Sequence, residues 1–313
     1  MDRERFEARL SEVLPVGRVV RDAPLAPLTT FGIGGPADWL VEAASEHELC
    51  TVLTAAAEAG VAVTMLGGGS NVVVADGGVR GAVIRLGLRQ ISRLREHTVR
   101  AGAGVTINGL VRWLVGRGLA GLEAWAGTPG TVGGAVYGNA HWQGRNIGDQ
   151  LVRVRVVTRR GEPLTVEPAE MAFAYDTSRL QDSREILVSA DFAVSEAAPD
   201  ELRRVARASL AYRKKTRPLA QPSAGCIFQN PDPAGDLLAD GVPPSAGALI
   251  DRAGLKGYRI GGAAISERHA NFIVTDGHAT AGDVRALIEM ARAAVRERFG
   301  IVLRDEVVFL GTF

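Results

Sequence analysis

Cysteine is scarce in this chain, and the scarcity excludes chemistry. Only Cys50 and Cys226 occur among 313 residues, far apart and with nothing to mark them as a pair. That usage fits a reducing compartment and rules out a metal cluster held by thiolates, so no metal is expected. Excess charge of either sign is missing as well. With 36 Lys and Arg against 35 Asp and Glu, the formal net charge is +1. No global field recommends the chain to nucleic acid or to an acidic membrane surface, and any anion site must be built locally. No apolar run approaches the length of a membrane span, and the opening MDRERFEARL has no hydrophobic segment behind it. The expectation is a cytoplasmic protein with no nucleic-acid and no membrane partner. A Gly-Lys-Ser/Thr phosphate loop is also lacking, which excludes a P-loop NTPase.

Glycine, by contrast, is abundant. Of the 38 glycines, 14 gather at 32–35, 67–69, 77–81 and 127–138, a pattern that marks binding through the backbone better than disorder. The apolar, β-branched stretch Val61 to Leu66 reads as a buried strand that empties into Gly67, Gly68, Gly69, Ser70 and Asn71. Three successive glycines cost folding entropy, and the usual return is N–H groups bare enough for a phosphate to reach. A mobile hairpin turn is the plainer alternative. The second concentration, GLEAWAGTPGTVGGAVYGNAHWQG, leaves few side chains to pack, so it must lie against something. Small residues there let a planar ring or a pyrophosphate approach; a collar of tight turns between strands would satisfy the same sequence. Gly32, Gly34 and Ala37 match the dinucleotide fingerprint literally, yet no strand precedes them and Pro36 sits where the helix should start. We reject it as a Rossmann signal and keep Thr30 and its free amides as a second hairpin near the first.

Periodicity predicts helices over Asp2 to Leu14, Ser45 to Gly60 with a Ser45/Glu48 capping box, Thr106 to Arg117, Asp200 to Thr216, Ala246 to Ala253 and Thr280 to Phe299. Strands are expected over Ala82 to Leu86, Thr98 to Gly104, Leu151 to Thr158, Ile186 to Val194, Asn271 to Thr275 and Arg304 to Leu310. Four cations, Arg213, Lys214, Lys215 and Arg217, end one helix, either as complement to its dipole or as anion recognition. QPSAGCIFQNP follows. It presents Cys226 on a small-residue turn with Asn230 at strand spacing on the same face, although a free cysteine is commonly a buried small hydrophobe. His269 reads equally as a structural hydrogen-bonder or a ligand. Glu306 carries a carboxylate into an apolar strand and wants a reason for being there.

Taken together, LGGGSN, AGTPGTVGGAVYGNA, Tyr175 with Ser178, QPSAGCIFQNP, GLKGYRIGGAAISERHANFIV and DEVVFLG resemble the UDP-N-acetylenolpyruvoylglucosamine reductases, the MurB family, over nearly the whole chain and in motif order. The lack of a long insertion between Ser178 and the Arg213 helix points to the shorter, type II, subtype. The resemblance implies an α+β fold of the vanillyl-alcohol-oxidase type: an N-terminal FAD-binding subdomain over 1–86 joined by the strand at 301–313, a second over 87–217, and a C-terminal α+β substrate-binding domain over 218–300. It implies FAD and NADPH as cofactors, a UDP-sugar enolpyruvyl ether as substrate, peptidoglycan precursor synthesis as the setting, and a monomer.

By motif, Thr30, Gly67, Gly68, Gly69, Ser70, Asn71, Gly127, Thr128, Pro129, Gly130, Thr131, Gly133, Gly134, Ala135, Asn139 and Ala140 carry over as FAD contacts. Tyr175, Lys214, Arg217, Asn230 and His269 carry over to the substrate, Cys226 to the proton donor, and Glu306 to the family's acid. The sequence departs from the pattern at Asp176, where the family's Tyr-Arg-x-Ser motif has an arginine that pairs with the enolate; Arg179, three residues on, is the candidate substitute, with a different cation or a weakened activity as the alternatives. Thr128, His141 and Trp142 are smaller departures. Two other readings stay open: a different FAD oxidase or dehydrogenase on the same fold, and a catalytically silent binder of flavin or UDP-sugar.

Overall fold

The computed structural model describes residues 2–232, 236, 238 and 241–313, and the chain divides into two compact units. The first comprises Met1–Ala23, Ala37–Gly68 and Arg80–Tyr212, and the second Pro24–Pro36, Gly69–Val79 and Arg213–Phe313. Segments 24–36, 69–79 and 301–313, which the motif pattern assigns to the N-terminal part, cluster with the second unit.

In the first unit, the helix Glu46–Ala59 starts where Ser45 Oγ accepts the Glu48 N–H at 3.1 Å and ends at Gly60, whose left-handed backbone supplies the stop. Its apolar face, Leu49, Val52, Leu53 and Ala56, packs with Trp39, Val41, Ile84 and with Phe6 and Leu10 of the helix Arg3–Val13. The accompanying sheet runs in the order Val19–Pro24, Pro36–Ala43, Val79–Leu86, Val63–Met65, the last two parallel. The expected buried strand at 61–66 is thus three residues long and only half-buried. A second sheet, antiparallel throughout, runs Pro163–Val166, Leu151–Val157, Ile186–Ala193, Thr98–Gly102, Ile91–Arg95. Its core face, with Val99, Val154, Val156 and Phe192, is covered by Ile107, Leu110 and Leu114 of the helix Ile107–Val115 and by Trp125.

In the second unit, the helix Ala281–Phe299 is framed by reciprocal bonds between Thr280 and Asp283 (3.0 and 2.9 Å) and by left-handed Gly300. Val284, Leu287, Ile288, Ala291 and Val295 recur at helical spacing and are buried; each large aliphatic contributes about 1.5–3 kcal/mol by leaving water. They face Leu249 and Ile250 of the helix Ala246–Arg252, and Ala263, Ile265 and Ile273 of the antiparallel sheet Arg259–Ile260, Ala263–Ile265, Ile273–Thr275. Val308–Leu310 pairs in parallel with Val72–Val74. That strand is shorter than expected and begins after Glu306, which is half-buried at its entrance. Among the described residues, no helix is long and apolar enough to cross a membrane.

Candidate flavin and substrate site

The two glycine runs of the first unit lie against each other. A Cβ on Gly68 would stand 2.7 Å from the Cα of Gly130, and one on Gly67 would stand 2.9 Å from Thr131 Oγ1. Only glycine permits that approach. The 127–131 loop is braced by Asn108, whose Oδ1 accepts the Gly127 N–H at 2.6 Å and whose Nδ2 donates to the Thr128 carbonyl at 3.1 Å. Asn108 was not singled out in the sequence; its signal is an amide set between Ile107 and Leu110 on a helix whose one other polar side chain is Arg112. Ile107 N–H to the Gly130 carbonyl (3.1 Å) and Val132 N–H to the Val105 carbonyl (2.8 Å) fix the loop's far side. Pro129 stiffens it further. Among the described residues, nothing accepts from the N–H groups of Gly68, Gly130 and Thr131.

A helix, Val132–Tyr137, follows directly, capped by Thr131 Oγ1 on the Gly134 N–H. Gly133, in its first turn, lies close against Ala103, with its N–H on the Ala103 carbonyl at 2.9 Å, and Ala135 is buried. At the far end the Ala140 N–H returns to the Ala135 carbonyl at 2.7 Å. Asn139 is buried at φ 43°, donates to the Ala174 carbonyl at 2.9 Å and accepts the Gly148 N–H at 3.1 Å. Its side chain is therefore used inside the protein, holding the turn that carries Tyr175.

That turn closes through paired Ala174 and Thr177 backbone bonds of 3.3 Å, with Asp176 left-handed at φ 55°. His141 Nδ1 stands 3.1 Å from Asp176 Oδ1, and the rings of His141 and Tyr175 are 4.9 Å apart. Ser178 Oγ donates to the Tyr137 carbonyl at 2.7 Å. Arg179 does not match the expectation of a cation free to turn to substrate. Both arms of its guanidinium are clamped on Glu185 at 2.9 and 2.8 Å, and that carboxylate holds it still more firmly protonated.

The second unit gathers most of the other candidates. Thr30 donates from N–H and Oγ1 to the Gly69 carbonyl (2.9 and 3.3 Å) and accepts the Ser223 N–H at 3.1 Å. Gly225, at φ 84°, lies 4.0 Å from the Ser70 carbonyl, measured from where a Cβ would stand. Cys226 comes next and is half-buried, not sealed in the core. The Ile227 carbonyl accepts the Glu306 N–H at 2.8 Å, and Asn71 Nδ2 donates to the Glu306 carbonyl at 2.9 Å. One run of bonds thus ties Asn71, Glu306 and the Cys226 turn. Behind them, buried Asn271 accepts the Phe228 N–H at 2.9 Å and donates to its carbonyl at 2.7 Å. The N–H groups of Gly69 and Ser70 find no acceptor among the described residues.

Lys214 is exposed, and Arg268 donates to the carbonyls of Lys214 and Arg217 at 3.2 and 3.4 Å. Arg217 lies over Phe272 at 5.5 Å. Burial, helped by the Arg217 charge, pushes Arg213 down to about 10. His269 Nδ1 accepts the Asn271 N–H at 3.3 Å; burial first, then Arg217 and Lys256, keeps its ring neutral below the usual histidine range. Asn230 is not on a strand with Cys226. Its Oδ1 accepts the Ala246 N–H at 3.1 Å, at the start of the helix Ala246–Arg252.

Residues 37–167 match the FAD binding domain family, and residues 217–310 match the C-terminal domain of UDP-N-acetylenolpyruvoylglucosamine reductase. The reductase of Synechococcus sp. (strain JA-3-3Ab) is 42% identical over 98% of this chain and 94% of its own. The chain belongs to the UDP-N-acetylenolpyruvoylglucosamine reductase family. Another member, from Heliobacterium modesticaldum, is 42% identical over 94% of this chain and 91% of its own. The crystal structure of the reductase (MurB) from Thermus caldophilus superposes with a TM-score of 0.76 and 34% identity, covering 93% of this chain and 98% of that one.

Phl p 4.0202, a glucose dehydrogenase, is 14% identical with a TM-score of 0.50 over 62% of this chain and 44% of its own, and it shares the fold alone. The fold is α+β with the FAD-binding architecture of the vanillyl-alcohol-oxidase type and a C-terminal reductase domain. As a family member the protein is an FAD-dependent oxidoreductase. The bare amides at Gly68, Gly130 and Thr131 suit such a cofactor, because a diphosphate needs main-chain donors more than side chains.

Proposed function

We propose that this protein reduces UDP-N-acetylenolpyruvoylglucosamine to UDP-N-acetylmuramate for peptidoglycan precursor synthesis, with NADPH as reductant and Cys226 as proton donor, acting as a monomer in the cytoplasm. The observation that carries the reading is the run of hydrogen bonds joining Asn71, Glu306 and the Cys226 turn. Bound FAD would relay hydride from NADPH to the enolpyruvyl double bond. Gly68, Gly130 and Thr131 would hold its phosphates through their amides.

Lys214 and Arg217 would neutralise the substrate diphosphate by charge-assisted hydrogen bonds. Hydride supplied to the terminal carbon would raise negative charge on the neighbouring carbon and its carboxylate, and the chain's own residues would have to stabilise and then protonate it. The Cys226 thiol is the donor of choice because a thiol is a stronger acid than an alcohol. Glu306, in its protonated form, would donate to the enolate oxygen.

Asp176 favours a second reading. An acid in the motif's arginine position, with Arg179 clamped by Glu185, fits a protein that binds flavin or UDP-sugar without turnover.

Stopped-flow absorbance separates the possibilities. In Cys226→Ala, NADPH should bleach the flavin at the wild-type rate, while reoxidation by the enolpyruvyl nucleotide slows about a thousandfold. Equal loss in both half-reactions would overturn the donor assignment. A wild-type protein whose reduced flavin ignores the nucleotide would leave the binder reading in possession.

A further inference from the structure

The short pairing that carries Glu306 is too small to hold itself. Phe228 and Asp305 face each other across an antiparallel bridge, flanked by Gln229 N–H on the Arg304 carbonyl at 2.9 Å and Glu306 N–H on the Ile227 carbonyl at 2.8 Å. Two extended segments of that length, without a wider sheet, are marginal in water at best. Asn271 braces one of them through the backbone of Phe228. The other needs a brace of its own.

Arg292 supplies it. The residue follows buried Ala291 on the helix Ala281–Phe299, and its side chain is 24% exposed. Nε donates to the Leu303 carbonyl at 3.1 Å, Nη2 donates to the Asp305 carboxylate, and the guanidinium lies over the Phe228 ring at 5.7 Å. Nη1 donates to both oxygens of Glu289, at 3.0 Å, on its own helix. Every nitrogen is thus committed, each to a different residue. The apolar face of that helix is packed in the core, so the guanidinium ties the segment at 303–305 to a fixed element.

Neutralising a carboxylate takes one point charge, which lysine provides. A planar fork that bonds a backbone carbonyl and a carboxylate two residues apart, while stacking on an aromatic ring, fixes orientation as well. Glu306 is the next residue along, with its backbone tied to Ile227 and Asn71. Resting on the reductase reading above, we propose that Arg292 is a positioning residue for the protonation step: by clamping Leu303 and Asp305 beside Phe228, it fixes where the Glu306 segment stands against the Cys226 turn.

The test compares Arg292→Met, which keeps the length and loses every hydrogen bond, with Arg292→Lys, which keeps the charge and loses the fork. Both are read as holoenzyme well below the thermal midpoint. Flavin bleaching by NADPH should run at the wild-type rate in each, while reoxidation by UDP-N-acetylenolpyruvoylglucosamine slows by about tenfold or more, toward the hundredfold that about 1 Å of misplacement costs. Lysine should rescue stability and not that rate. A second readout needs no turnover: iodoacetamide should alkylate Cys226 severalfold faster in Arg292→Lys, with Cys50, in the other unit, as the unchanged internal standard.

Wild-type reoxidation in Arg292→Lys, with only the thermal midpoint lowered, overturns the proposal, and so does equal slowing of both half-reactions. Unchanged alkylation of Cys226 overturns it as well. Where Arg292→Met does not fold, Arg292→Lys decides alone. A wild-type protein whose reduced flavin ignores the nucleotide defeats the underlying reductase reading instead, and the alkylation rate then still shows whether the clamp holds the turn.

Discussion

Asn271 offers the sharpest test of how the proposed donor turn is held. Its buried amide satisfies both backbone groups of Phe228, two residues past Cys226, at 2.9 and 2.7 Å. Asn271→Ala would strand a buried N–H and a buried carbonyl, each costing about 1–3 kcal/mol, so about 2–5 kcal/mol is expected after relaxation. Thr275→Val is the reference. It conserves volume and removes one bond, Thr275 Oγ1 to the Phe31 carbonyl at 2.9 Å, for about 1 kcal/mol.

The assay is urea denaturation followed by far-ultraviolet circular dichroism, which sees the helices of both units, alongside tryptophan fluorescence. Trp39, Trp113, Trp125 and Trp142 all lie in the first unit, so fluorescence reports that unit alone. Asn271→Ala should move the dichroism midpoint at least twice as far as Thr275→Val and slow flavin reoxidation by substrate more than flavin reduction. A shift below about 0.5 kcal/mol, the scatter of ordinary surface changes, would refute the bracing argument.

Three further outcomes are expected. Gly68→Ala sets a methyl 2.7 Å from the Gly130 Cα; the two loops must part, and the purified protein should retain less than a tenth of the wild-type flavin by absorbance. Arg100→Ala abandons Asp191, whose side chain is 6% exposed and is gripped at 2.6 and 2.8 Å; thermal denaturation should show a loss of about 2–4 kcal/mol, somewhat under the figure for a fully buried pair because Arg100 is itself 43% exposed. His269 titrates below its ordinary 6.5 in the folded chain, so between that lowered value and 6.5 the unfolded chain binds more protons. Stability should therefore fall as pH drops through this window, and His269→Gln should flatten the slope in pH-dependent melting.

Local rules carried much of the architecture. Ser45, Gly60, Thr280, Asp283 and Gly300 bound their helices where capping chemistry says they should, because each acts within one turn of its own position. The box at Ser45 is only half present. Glu48 reaches the Ala44 N–H at 2.7 Å and Arg18 at 3.4 Å, a choice made by a residue 30 positions away. The helix Val132–Tyr137 was not predicted, since Gly133 and Gly134 argue against helix; its support is packing on Ala103 and the Thr131 cap.

The site was legible as motifs and not as geometry. Glycine runs announced main-chain binding, but that Gly68 meets Gly130, or that Asn108 braces Gly127, depends on contacts no spacing reveals. Arg179 looked available because nothing in sequence shows the Glu185 clamp as a two-armed grip. The pairing of His141 with Asp176 is hidden in the same way.

The bond from Asn71 to Glu306 spans 235 positions, and the strand Val72–Val74 that follows Asn71 has its partner at Val308–Leu310. A nascent chain leaving the ribosome can form the early helices at once, yet residue 71 must wait for nearly the whole message to be read before its neighbourhood exists. Chaperone demand and nicking by proteases should therefore concentrate on that loop during synthesis, and a nonsense codon just ahead of residue 306 would leave a protein with most of its secondary structure and the loop at residue 71 without its partner strand.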